Sequence, residues 1–140
     1  MATYQKFNSL VEALSEKAHD LGSDQLKIAL CAAANAPVAG NAVLADLTPI
    51  TPVLTGATPL NLTTTSSAQT SGTYKLVLAD LTITADTGGN PTFRYVVIYN
   101  DTATSKELIG FFDYGSDVTL AEGDQYVIDF NPTTGAIQIV

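Results

Sequence analysis

Between residues 3 and 21 the apolar positions fall three and four apart. Tyr4, Phe7, Leu10, Val11, Leu14, Ala18 and Leu21 recur at helical spacing, while Gln5, Glu12, Glu16, Lys17 and Asp20 fill the positions between them. The pattern predicts one amphipathic helix over residues 3–21 with a single buried stripe. Thr3 stands where an N-cap belongs, and Gly22 follows the last periodic residue, the usual place of a left-handed C-cap.

After Gly22-Ser23-Asp24 the period drops to two. Leu26, Ile28 and Leu30 alternate with Gln25, Lys27 and Ala29, which predicts a half-buried strand. From Ala32 to Pro59 the chain is small and turn-rich, with Pro37, Gly40, Pro49, Pro52, Gly56 and Pro59. Proline at that density belongs to loops and edge strands. Leu60–Thr65 reads as a short strand and Ser66–Gly72 as a polar turn. Thr73–Asp86 reads as a long strand that begins apolar on both faces and ends with one face buried. The Asp86-Thr87-Gly88-Gly89-Asn90-Pro91 turn leads into Phe93–Tyr99, apolar on both faces. Beyond the turn at Asn100–Ser105, strands are predicted at Glu107–Tyr114, Val118–Leu120, Gln125–Phe130 and Ala136–Val140. The last is placed antiparallel to Gln125–Phe130 across the Asn131–Gly135 turn. Short strands at near-regular spacing, with Gly, Asp, Asn and Pro between them, predict an antiparallel sandwich or barrel. The nineteen threonines agree, because β-branched side chains pack well on a pleated sheet. The expected organisation is a single domain over 1–140: a helical head at 3–21 and a β-sandwich over 25–140.

Composition narrows the classes. The 140 residues are 46% hydrophobic and only 14% charged, which excludes disorder and leaves a surface of Thr, Ser, Asn and Ala suited to packing against neighbours. Fourteen acids against six cations give a net charge of −8, the wrong sign for nucleic acid or an anionic membrane surface. No stretch reaches the ~20 apolar residues of a bilayer span. The start, Met1-Ala2-Thr3-Tyr4-Gln5-Lys6-Phe7, lacks the basic-then-apolar layout of a secretory signal. Cys31 is the sole cysteine, so it has no intrachain disulfide partner and reads as a small buried hydrophobe.

Candidate chemistry is sparse. His19, the one histidine, falls on the predicted polar side of the helix beside Asp20, where it reads as solvated. It has no Cys or His companions for a zinc site, and Ser15 and Ser23 lie in no nucleophile motif. Paired carboxylates can run glycoside hydrolysis without histidine, and Asp113 and Asp129, near strand ends, are the better candidates. Asp86, Asp101, Asp117, Glu122 and Asp124 sit in turns. Tyr74, Tyr95, Tyr99, Tyr114 and Tyr126 offer stacking rings, without a tryptophan. The Asp113–Asp117 and Glu122–Asp124 turns have oxygen ligands for calcium, but Asp and Gly are ordinary turn formers and the turn reading is adopted. Gly88-Gly89 lacks the helix and lysine of a phosphate loop. The sequons at Asn61 and Asn100 carry little weight without a secretory signal. No catalytic, cofactor-binding or metal-binding residue is therefore assigned, and the chain reads as a non-enzyme.

Three stretches carry a family resemblance. Tyr4-Gln5-Lys6-Phe7-Asn8-Ser9-Leu10-Val11-Glu12 with His19–Leu30, then Phe93–Thr102, and then Leu108–Gly115 with Val118-Thr119-Leu120 resemble small virion proteins of tailed phages. Length and layout are most similar to the capsid cement, or decoration, proteins of the short-tailed Bordetella phage type. The similarity covers most of the chain and is weakest between Ala32 and Pro59. It implies a jelly-roll-type sandwich that pairs as a homodimer. It also implies binding to the outer surface of a virion shell built from an HK97-like major capsid protein, with no cofactor. The family has no short motif to carry over by residue. Two other readings fit the same β-rich pattern: a tail or connector subunit, and a jelly-roll module that binds carbohydrate or a surface.

Overall fold

The apolar run from Phe93 to Tyr99 lies inside β6 (Asn90–Asn100), which pairs with β7 (Leu108–Leu120) to make the longest hairpin of the fold. A computed structural model describes residues 2–140. In it, β2 (Leu26–Cys31) lies against the other side of β6, and β1 (Thr3–Lys6) against the other side of β7. The result is an antiparallel sheet of order β1-β7-β6-β2. Both faces of this sheet are covered. One face carries Phe7, Ala29, Cys31, Val97, Tyr99, Leu108 and Phe111, with Leu44 and Leu47 of the proline-rich stretch packed over them. The other presents Ile28, Leu30, Val96 and Ile98 to the larger core.

That larger core is closed by two smaller antiparallel sheets. β3 (Thr64–Thr70), β4 (Thr73–Leu78) and β9 (Ile137–Ile139) form one, in the order β3-β4-β9; β5 (Leu81–Thr84) and β8 (Gln125–Ile128) form the other. Leu76, Leu78, Ile83, Ile128 and Ile137 bring all of these strands but β3 into one apolar cluster with the four-stranded sheet. The protein is thus mainly β and antiparallel, with one α-helix.

The helix is far shorter than the periodicity predicts. α1 covers only Leu10–Ser15, and residues 3–6 form an edge strand. Phe7 and Leu10 explain why: Phe7 is buried on one side of the four-stranded sheet and Leu10 on the other, so no single helix face could serve both. Phe7 packs on Phe111 at 5.1 Å between ring centroids. Pairing with β7 overrides the local pattern. The helix also ends before Gly22. Lys17 takes the left-handed conformation (φ 67°), the Ala18 N–H donates to the Ala13 carbonyl (2.8 Å) and the Lys17 N–H to that of Leu14 (3.4 Å). This is a Schellman ending with lysine where glycine is usual.

Five further expectations are corrected. Ala136–Val140 does not pair with Gln125–Phe130. β9 joins β4, with Leu76 opposite Ile137, while β8 joins β5. Ser66–Gly72 is mostly strand, because β3 runs to Thr70 and only Ser71-Gly72 turn; at Leu60–Leu62 the chain merely flanks β2, through Ile28 N–H to Leu60 O and Leu62 N–H to Leu26 O. Thr73–Asp86 breaks at Ala79-Asp80. There the Asp80 carboxylate accepts the Phe130 N–H at 2.9 Å, and the chain passes from one small sheet to the other. Gly115-Ser116-Asp117 is no turn but a bulge inside β7, where the register against β6 shifts between Phe93 and Tyr95 and Gly115 has φ 76°.

Three substitutions test these assignments. Lys17→Gly should raise stability by about 0.5–1 kcal/mol in urea unfolding by relieving the left-handed lysine, as Gly22 would not. Ile137→Ala should cost about 2–4 kcal/mol, since Ile137 is buried against Leu76, whereas Ile139→Ala, half-exposed, should cost less than about 1. Equal costs at the two positions would contradict the β4–β9 register.

Candidate interaction surface

His19 is not solvated. Because the helix stops at Ser15, the chain from Glu16 to Gln25 folds back and buries the imidazole against the end of β6. Asn100, fully buried, is the hub. Its Oδ1 accepts the N–H groups of Thr102 (3.0 Å) and Ala103 (3.1 Å), which leaves Nδ2 to donate to His19 Nδ1 (3.0 Å) and to the Asp24 carboxylate (2.6 Å). This bonding makes Nδ1 the acceptor and fixes His19 as the neutral Nε2–H tautomer. Among the described residues Nε2 is buried without a partner, and so is one carboxylate oxygen of Glu107. Burial pulls the His19 pKa below its ordinary 6.5, against the opposing attraction of Glu107 and Asp24.

The carboxylates do structural work. Asp113 is held by Arg94 (Nε 2.8 Å, Nη2 3.2 Å) and accepts the Gly115 N–H at 2.7 Å, so it pins the bulge of β7. The Arg94 hydrogen bond, then that of Gly115, holds its carboxyl below the usual carboxylate range. Asp101 is paired with Lys27 (3.1 Å) and Lys106 (3.0 Å). In the turns, Asp86 accepts the Thr87 N–H, Asp124 that of Ala121 and Glu122 that of Gly88. Ser15 donates to the Val11 carbonyl, and Cys31 is fully buried, its thiol pKa pushed up to about 11 by desolvation. Among the described residues no group of three His, Cys, Asp or Glu side chains is placed to hold a metal ion. Arg94 and Asn100 escaped the sequence reading. The signal was there in part: an arginine inside an apolar strand calls for an acid partner.

Asp129 is on the lining of a trough. Where the predicted β8–β9 pairing fails, a groove of about 1000 Å³ opens between Tyr4, Phe112 and Tyr114 on one side and Val127, Phe130 and the 131–136 loop on the other. A second groove of about 540 Å³ continues it past Lys6, Leu10, Val11 and Leu14, facing Ile137 and Ile139; the two share Tyr4 and Gln138. Val11 (56% exposed), Val127 (52%) and Ile139 (42%) are among the few large apolar side chains left open to solvent, and all three line this trough. Tyr4 stacks obliquely on Phe112 at 5.2 Å, and Phe112 meets Phe130 edge-on at 6.0 Å, so the floor is aromatic. The Tyr4 hydroxyl is buried without a partner among the described residues, and its pKa is pushed up to about 12 by desolvation. Such a surface is shaped to take up apolar groups. No protein-family model, no curated protein and no solved structure matches this chain.

The hub yields a pH prediction with a definite sign. The folded His19 pKa lies below the free value, so on acidification the unfolded chain takes up the proton first. The hub's contribution is complete above pH 6.5 and falls away as the pH drops below it. Urea midpoints measured between pH 7.5 and 5.5 should therefore decline more steeply for the wild type than for His19→Gln. Asn100→Ala, which strands His19, Asp24 and two backbone donors, should cost about 3 kcal/mol at neutral pH.

Proposed function

We propose that this chain is a capsid cement protein of a tailed phage, bound on the outside of an HK97-like shell and bridging major capsid protein subunits. The family resemblance of residues 4–12, 19–30, 93–102, 108–115 and 118–120 supports a capsid role. The observation that carries the protein-binding half is the trough, where exposed Val11, Val127 and Ile139 surround an aromatic floor. We read the protein as non-enzymatic, since Asp113 is committed to Arg94 and Gly115. We read the four-stranded sheet and the two smaller sheets across the core as the two layers of a jelly-roll sandwich; the shared apolar cluster supports this. Working as a homodimer, the protein would present two troughs, and many weak contacts over a shell would hold its seams by avidity.

The test is co-sedimentation with cement-free shells. The wild type should bind in numbers approaching those of the shell subunit. Val127→Asp, at a half-exposed position, should leave stability within about 1 kcal/mol while weakening shell binding about tenfold or more. Undiminished binding by Val127→Asp and Leu14→Asp together would remove the trough from the interface. About a dozen copies per purified particle would point instead to a connector, and specific binding on a glycan array to a carbohydrate module.

A further inference from the structure

The ladder between β1 and β7 reveals which backbone groups of β1 point outward. The Phe7 N–H donates to the Ile109 carbonyl at 3.2 Å, and the register sets Gln5 opposite Phe111 and Thr3 opposite Asp113. Hydrogen-bonded and non-hydrogen-bonded pairs alternate along an antiparallel ladder. Thr3, Gln5 and Phe7 therefore turn their N–H and C=O groups toward β7. Tyr4 and Lys6, opposite Phe112 and Gly110, turn theirs away from it. Among the described residues no backbone or side-chain group bonds to them. Both residues line the trough. The Tyr4 ring lies over Gly110, where a β-carbon would collide with it, so the glycine holds this edge open beside the apolar floor.

We infer that the trough takes an extended polypeptide segment, which pairs through its backbone with the free edge of β1 and lays alternate apolar side chains toward Leu10, Leu14 and Phe112. An open row of donors and acceptors beside an apolar surface is matched by a strand, which offers both; a helix spends its backbone groups internally except at its ends, and a lipid chain has none at all. Among the described residues the charged side chains lining the trough are Lys6 and Asp129, one of each sign, so the segment it fits is uncharged over the paired stretch. That the segment belongs to the major capsid protein rests on the function proposed above; the mode of pairing rests on the ladder.

The experiment is amide hydrogen exchange of the full chain, free and bound to cement-free shells, read at Tyr4 and Lys6, alongside shell binding by Lys6→Pro. Proline at position 6 removes an outward N–H and leaves the bonds from Gln5 and Phe7 to β7 in place. The expected result is exchange slowed by about tenfold or more at both amides on the shell, and loss of shell binding by Lys6→Pro with an unchanged melting temperature. Stoichiometric shell binding with no protection at either amide overturns strand pairing and leaves the cement function standing. If the wild type does not bind shells, the cement function falls, and the same exchange measurement is made with an uncharged alternating valine–threonine peptide. Protection of Tyr4 and Lys6 by that peptide supports strand pairing independently of the capsid; its absence overturns it. Should Lys6→Pro fail to fold, the exchange measurement on the wild type decides alone.

Discussion

The β6–β7 hairpin is apolar on both faces, and a sheet with two apolar faces must be shielded from water twice. Val96 and Ile98 look into the larger core while Val97 and Tyr99 look the other way. A chain of this size meets that demand with two unlike covers. The two small sheets shield one side. The proline-rich stretch shields the other, laying Leu44 and Leu47 over Cys31 and Phe111 and lacing itself to the hairpin through Leu44 N–H to Lys106 O and Leu108 N–H to Ala42 O. What composition marks as loop therefore covers one face of the sheet.

The trough follows from how the first cover is divided. Had Thr73–Asp86 run as one strand, β8 and β9 could have joined a common sheet. Asp80 instead turns the chain and ties it to Phe130, sending β4 and β5 into different sheets, and β9 and β8 follow their partners. The seam between them, with β1 opposite, is left without a strand to fill it.

The sequence made the β architecture legible because two-sided apolar runs and turn chemistry are local signals; β2, β6 and β8 lie close to where alternation puts them. The head was misread because Tyr4, Phe7 and Leu10 happen to stand three apart, and nothing local reveals that Phe7 and Leu10 serve opposite faces of a sheet made of residues about a hundred positions later. β3 was missed because Ser66, Ser67, Ala68 and Gln69 carry no apolar face; it exists by pairing with β4 alone. The trough was invisible for the same reason. It is made by which strands do not pair, and registers between distant segments are not written in the spacing of either one.

The hub at Asn100 and the bulge at Asp113 also account for where the cations went. Lys27 and Lys106 converge on Asp101 at the hairpin's end, and Arg94 is spent on Asp113, so half of the six cations neutralise two acids that secure β6 and β7. The remaining carboxylates face a surface with few positive charges to answer them, and they repel one another. Ionic strength thus acts on this molecule mainly by relieving self-repulsion rather than by loosening ion pairs, and added salt will tighten the fold and bring its copies closer together in solution.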